Sequence, residues 1–193
     1  EPYRRQRQMC IRDSYWFAAA AANRLTGSMD LYTGQYKGYD SSINFITCHD
    51  GFSLWDLYSY NGKHNEDNGW NNSDGHDDNR SWNCGEEGDT KNRKILVQRL
   101  RNRKNAMCFV LLSQGIPMIY AGDEFGNSQN GNNNAYCQDN EVFWLQWKDN
   151  TQMFQELLSF TQRMIALRKQ NPIIHMKKEL KAMDSLGCGL SLI

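Results

Sequence analysis

The chain has 193 residues, with 22 Lys+Arg against 22 Asp+Glu, and is 39% hydrophobic and 12% aromatic. That length holds one ordinary domain or a part of a larger one, and the even charge balance excludes bulk attraction to nucleic acid or to an anionic membrane. The longest apolar run, 106–119, is broken by Ser113, Gln114, Gly115 and Pro117 and falls short of the ~20 residues that span a bilayer.

In chain order, residues 4–14 (RRQRQMCIRDS) resemble the translation of a sequencing-library adapter joined to its transposon end. Residues 190–193 (LSLI) resemble the same end read on the opposite strand. Residues 1–14 and 190–193 are therefore expected to be non-native and are set aside. Removing 1–14 takes away four Arg and two acids, which leaves 18 basic against 20 acidic residues and no basic arm. The alanine-rich stretch 18–25 reads as a helix end, and 26–42, rich in Gly, Tyr and Asp, reads as loop. Residues 43–48 (INFITC) have the short, β-branched, bounded character of a buried strand, with His49 and Asp50 at its C-terminal end. Ser53, with Asp56 three residues on, offers a cap for a short helix running to about Tyr60.

Residues 61–92 are crowded with Asn, Asp, Gly and Trp, too long and polar for a simple connector, and such loops are usually functional or disordered. Residues 93–113 bring Leu96, Leu100, Met107 and Leu111 to one side at helical spacing, and Gly115 stops that helix. A second buried strand follows at 117–121, then a turn, GDEFG, at 122–126, and a second Asn-rich loop at 127–140. The last helix spans 151–169, with Phe154, Leu157, Leu158, Thr161, Met164, Ile165 and Arg168 along one stripe and Pro172 beyond its end. Strand, loop, helix, strand, loop, helix is the grammar of two consecutive βα units.

Two polar constellations, His49-Asp50 and Asp123-Glu124, lie where the expected parallel strands would end, which is where α/β barrels and open sheets place their sites. The ordinary alternative for each acid is a helix cap or a salt bridge with Arg80, Lys91 or Arg93. Trp70, Trp82, Tyr136, Phe143, Trp144 and Trp147 lie among Asn and Asp, and flat apolar faces beside fixed polar groups suit pyranose rings. The same composition suits a rigid, hydrated turn network. Asp74, His76, Asp77 and Asp78 lack the spacing of a twelve-residue calcium hand, and the four His share no helix face. No GxSxG, GxxxxGK[ST] or GxGxxG loop supports acyl or phosphoryl transfer. No metal and no cofactor is expected. The six Cys have no CxxC spacing, which signals neither zinc nor a dense disulfide framework and favours a reducing compartment.

Five strings carry a resemblance: NFITCHDGF at 44–52, DDNRSWNCG at 77–85, SQGIPM at 113–118, AGDEFG at 121–126 and NNNAYCQDNE at 132–141. Together, over residues 25–171, they resemble the isoamylase-type glycogen debranching enzymes of the α-amylase superfamily, glycoside hydrolase family 13. The resemblance implies an α/β fold, a fragment of a (β/α)8 TIM barrel in which 43–48 is strand seven and 117–121 strand eight, each with its helix. Residues 15–175 are then the C-terminal part of the catalytic barrel, and 176–189 begin a truncated C-terminal β domain. The implied chemistry is retaining hydrolysis of α-1,6 branch linkages in glycogen or related α-glucans. Asp50 matches the acid that stabilises the transition state, and His49 matches the histidine beside it that bonds the same sugar. Arg80, Trp82, Asn133, Asn134, Tyr136 and Asp139 are expected to bind substrate. The nucleophile and general acid follow strands four and five, which this sequence lacks. The stretch by itself is therefore expected to be inactive and to fold poorly, with unpaired strand edges. The expected partner is branched α-glucan (glycogen, limit dextrin or amylopectin), with neither nucleic acid nor membrane, in the cytoplasm. An α-1,4-acting amylase or glucanotransferase, or a noncatalytic glucan-binding module, is the alternative.

Overall fold

The computed structural model describes residues 14–28, 30–32, 38, 41–147 and 151–176. The adapter-like residues 1–13 and 190–193 and the expected β-domain start at 177–189 lie outside them. The chain divides into two compact units, Glu1–Asn44 with Leu112–Ile116 and Asn171–Ile193, and Phe45–Leu111 with Pro117–Gln170.

In the first unit, helix α1 (Ser14–Leu25) owes its length to the run of alanines, the best helix formers. It ends where Gly27 and Ser28 turn to positive φ and the Ser28 N–H returns to Asn23 O at 2.8 Å, which satisfies a carbonyl the helix leaves open. Strands β1 (Ile43–Asn44) and β2 (Ile116–Pro117) pair in a two-stranded sheet. Ile116 N donates to Ser42 O at 2.7 Å, and the Asn44 side chain donates to Gln114 O at 2.6 Å. Gly115 has φ +108°, and a Cβ there would stand 2.6 Å from Ser42 O, so the close approach of the two segments requires glycine.

The ladder corrects the expectation of two buried strands at 43–48 and 117–121. Each strand is two residues long, and Ile43, Phe45, Ile46, Ile116 and Met118 are exposed. A central strand is covered by a neighbour on both edges and by side chains on both faces. With one neighbour each, these two pair only where their backbones run close, and the apolar side chains beyond have no cover.

In the second unit, helix α2 (Leu54–Leu57) is capped as expected, the Ser53 hydroxyl accepting from Asp56 N at 3.2 Å. It stops at Leu57, three residues before the expected end. Helices α3 (Arg93–Leu112) and α4 (Gln152–Gln170) match the periodic stretches. Leu54, Ala106 and Met107 form the core, with Leu57, Tyr58, Ile119 and Phe160 packed on it. Phe125 joins α4 through Phe154 (ring centroids 4.8 Å apart) and packs with tilted rings against Trp147 at 4.5 Å. The buried face of α3 also carries Arg103 and Arg99, the second of which holds the long loop described below. Among the described residues, no helix is long and apolar enough to cross a membrane.

Candidate active site

All the candidate residues belong to the second unit, on the loop after β1, the loop 61–92 and the loop 127–140. His49 and Asp50 sit on the first of these, with His49 Nε2 and Asp50 Oδ2 3.5 Å apart and side chains 82% and 64% exposed. Their loop is fastened around them. Thr47 donates its hydroxyl to Asp123 Oδ2, and Leu54 N donates to Asp123 Oδ1 at 2.7 Å. Leu54 is the first residue of α2, so its N–H has no partner within the helix, and Asp123 supplies one from a distant segment. Gly51 N donates to Asn133 O at 3.0 Å.

Asp123 is 2% exposed, and burial pushes its pKa up to about 7. The bonds from Thr47 and Leu54 work against that rise, and the charges of Glu124 and Asp56 add to it. Asp56 reciprocates. It is fully buried and accepts from Ser128 Oγ at 2.6 Å and Gln129 N at 2.7 Å. Burial raises its pKa, opposed first by the bond from Ser128. Asp123 thus holds 47–54 and Asp56 holds 128–129, each carboxyl reaching onto the segment that carries the other. Of the two ordinary alternatives for Asp123, the structure matches the cap, since Asp123 accepts the first N–H of α2 from a distant segment.

The asparagines build a scaffold. Asn133 is 1% exposed; its side chain accepts from Asn65 Nδ2 at 2.8 Å and donates to His76 O at 2.8 Å and Asn79 Oδ1 at 2.6 Å. Asn134 donates to Asp74 Oδ2 at 2.9 Å, and Asn68 donates to the same oxygen at 2.7 Å. Asn68 Oδ1 accepts from Asn132 and Gln138, both at 2.8 Å. Asn133 was expected to meet substrate, but its amide is spent on the chain itself, so it positions the loop. Asn134 is partly buried and likewise tied to the network. Tyr136 and Asp139, by contrast, lie on the exposed side, and Asp139 Oδ1 accepts from Trp144 Nε1 at 3.1 Å.

The loop 61–92 is ordered by a buried arginine. Arg99 donates to Asn83 O at 3.0 Å, Gly88 O at 2.6 Å and Glu86 O at 2.5 Å. Glu87 gathers the N–H groups of Asn61 and Gly62 and the Asn83 side chain; burial acts to raise its pKa, but these bonds outweigh it and bring the carboxyl below its usual range. Trp82 N donates to Leu57 O at 2.9 Å, which leaves the indole at the surface. Arg80 is exposed and 3.7 Å from Asp78. Next to Arg99, Arg103 lies with its guanidinium 3.6 Å over the Trp55 ring and donates to Trp55 O and Ser59 Oγ, both at 2.9 Å. Burial first, then the neighbouring Arg99 charge, lowers its pKa to about 9.

Of the four residues considered for calcium, Asp77 pairs with Lys63 at 2.8 Å and Asp78 with Arg80, while Asp74 serves the asparagine scaffold. Among the described residues, no three His, Cys, Asp or Glu side chains group to hold a metal. A cavity of about 300 Å³ opens elsewhere in this unit, lined among others by Trp55, Asp89, Phe125, Asn130, Glu141 and Gln146. His49 and Asp50 do not line it. Arg99 and Arg103 escaped notice as scaffold residues, because a charge on an amphipathic stripe reads as solvent-facing.

No family model matches the chain. It is 47% identical over 173 residues, 87% of its length, to the glycogen operon protein GlgX homolog of Mycobacterium bovis, and covers 24% of that protein. It is 45% identical over 162 residues, 83% of its length, to isoamylase 1, chloroplastic, of Arabidopsis thaliana, and covers 20% of it. Among solved structures it resembles the pullulanase from Bacillus acidopullulyticus with a TM-score of 0.58 and 25% identity, over 83% of this chain and 16% of that one. Over most of its length the chain is thus similar to GlgX and isoamylase proteins, the group its sequence motifs resemble. It spans about a quarter of the length of the curated relatives it matches.

Proposed function

We propose that this chain is the C-terminal part of the catalytic domain of a longer enzyme that hydrolyses α-1,6 branch linkages in glycogen or related α-glucans. In this reading residues 15–175 contribute strands seven and eight of a (β/α)8 barrel with their helices, and a C-terminal β domain starts at 176. The observation that carries it is the 47% identity to a glycogen operon protein over 173 residues, a span that includes most of this chain. The exposed His49-Asp50 pair, on a loop secured at Thr47, Gly51 and Leu54, supports it.

Asp50 and His49 contact hydroxyls of the glucosyl unit whose bond breaks. A carboxylate and an imidazole there gain strength as the ring flattens and positive charge grows at the anomeric carbon, so they favour the transition state over the bound substrate. The nucleophile and general acid come from the part of the longer enzyme outside this chain, as does the facing wall of the cleft. Trp82 and Tyr136 offer stacking faces, with Arg80 and Asp139 as polar groups beside them, and Asn133 and Asn134 fix the loop that carries Tyr136. The free thiols of Cys48, Cys84, Cys108 and Cys137 fit a reducing, cytoplasmic setting.

The test is Asp50→Asn in the longer enzyme, assayed on glycogen and pullulan while a maltooligosaccharide is titrated onto the same protein. The expected result is a fall in kcat of about a hundredfold or more with binding changed less than about threefold. Unchanged kcat would remove Asp50 from the reaction. Chopping of linear amylose in place of release of linear chains from branched glucan would assign the enzyme to the α-1,4-acting branch of the superfamily.

A further inference from the structure

We infer that Asp123 is a positioning residue for the reaction: its buried carboxyl, through Thr47 and Leu54, sets the loop 48–53 and with it the direction in which His49 and Asp50 point. The inference rests on the reading of His49 and Asp50 given above and deepens it.

The geometry is specific. One side chain accepts from both ends of a six-residue loop, at the Thr47 hydroxyl and at the Leu54 N–H. Thr47 stands two residues before His49, and Leu54 four residues after Asp50. Both carboxyl oxygens are used in this way, and the side chain is 2% exposed, so Asp123 has no oxygen left to meet a sugar. Between the two anchors, Gly51 N bonds Asn133 O at 3.0 Å, which ties the middle of the loop to the asparagine scaffold. His49 and Asp50 themselves are exposed. An exposed side chain keeps one direction only if its backbone is held, and here the holding groups are on other segments. Groups that bond a transition state need placement within a few tenths of an ångström, so slack in the anchors is felt in turnover.

Glu124 and Asp56 are the charged neighbours felt at this carboxyl. Neither replaces it as an acceptor. Glu124 accepts from Gly122 N at 2.9 Å, and Asp56 is occupied by Ser128 and Gln129.

The experiment is a double-mutant cycle in the longer enzyme between Asp123→Ala and Asp50→Asn, with kcat and KM measured on a branched glucan. Asp123→Ala alone is expected to lower kcat about tenfold or more and to change KM less than about threefold. In the Asp50→Asn background the same change is expected to lower kcat clearly less than in the parent, by about threefold or less, because of the two groups it aims only His49 is still intact. Asp123→Asn keeps the shape and one acceptor oxygen, and should restore kcat to within about threefold of the parent. Thr47→Val, which removes one anchor and leaves the carboxyl, should show the same coupling to Asp50→Asn and reads the cycle even where Asp123→Ala does not fold. Equal losses in the two backgrounds would overturn the inference, since a general loss of structure does not depend on Asp50. If Asp50→Asn itself left kcat unchanged, the reading of the site would fail first and take this inference with it.

Discussion

Asp123 shows how a single residue's surroundings become measurable. Its pKa in the folded chain is about 7 against 3.8 for an ordinary aspartate, because burial disfavours the charged form. A carboxyl raised in this way contributes stability that is fully present below pH ~4 and is lost as the pH rises through about 7. The unfolded chain gives up its proton first, so ionisation pulls toward unfolding across that window. Converted at 1.36 kcal/mol per pKa unit, the loss between pH 4 and 7 is about 4 kcal/mol. Asp123→Asn has no proton to lose. The expected outcome is that its thermal midpoint in the longer enzyme rises relative to the parent as the pH goes from 4.5 to 8, with the gap opening mostly below pH 7. Parallel pH profiles for the two proteins would show that the carboxyl is not the buried, proton-retaining group described.

At the scale of elements, the three long or capped helices were readable because their signals are local: periodic apolar positions in α3 and α4, and Ser53 ahead of Asp56 in α2. The strands were readable in place but not in extent. Whether Phe45 or Met118 is buried depends on what lies beside it, and no local pattern records that. The site divides the same way. His49 and Asp50 were legible as adjacent polar residues, though they stand on a loop five residues past the end of β1 and not at a strand end, and the exposed Trp82 and Tyr136 were legible as surface aromatics in polar loops. The inward role of Asn133 was not, since one asparagine in a polar loop looks like another until its four bonding partners are known. The element most dependent on such hidden contacts is the loop 61–92. Arg99→Ala would leave the carbonyls of Asn83, Glu86 and Gly88 without their donor, and is expected to cost about 3 kcal/mol in denaturant unfolding, with faster protease cleavage within 82–88. Gly75 has φ +72°, and a Cβ there would collide with the Asn133 side chain and stand 2.7 Å from Asn65 Nδ2. Gly75→Ala should therefore break the scaffold at its centre, costing about 2 kcal/mol and lowering activity through the loop that bears Tyr136. A variant as stable as the parent would show that these loops do not depend on the Asn65-Asn133 bond.

For the molecule as a whole, the described residues form two short paired strands, α-helices, and polar loops held by buried acids, asparagines and Arg99. The exposed Phe45, Ile46, Ile116 and Met118 fit strands that gain further neighbours in a longer enzyme, as the proposed barrel requires. The direction of His49 and Asp50 when sugar is present decides whether they serve the reaction. The most direct measurement is a structure of the longer enzyme, inactivated at its nucleophile, with a branched maltooligosaccharide across its cleft. The account predicts Asp50 and His49 within about 3 Å of hydroxyls on one glucosyl ring next to the α-1,6 linkage, with Asp123 still joined to Thr47 and Leu54. A bound sugar that leaves both side chains in open solvent, or that occupies only the cavity beside Trp55, would contradict it.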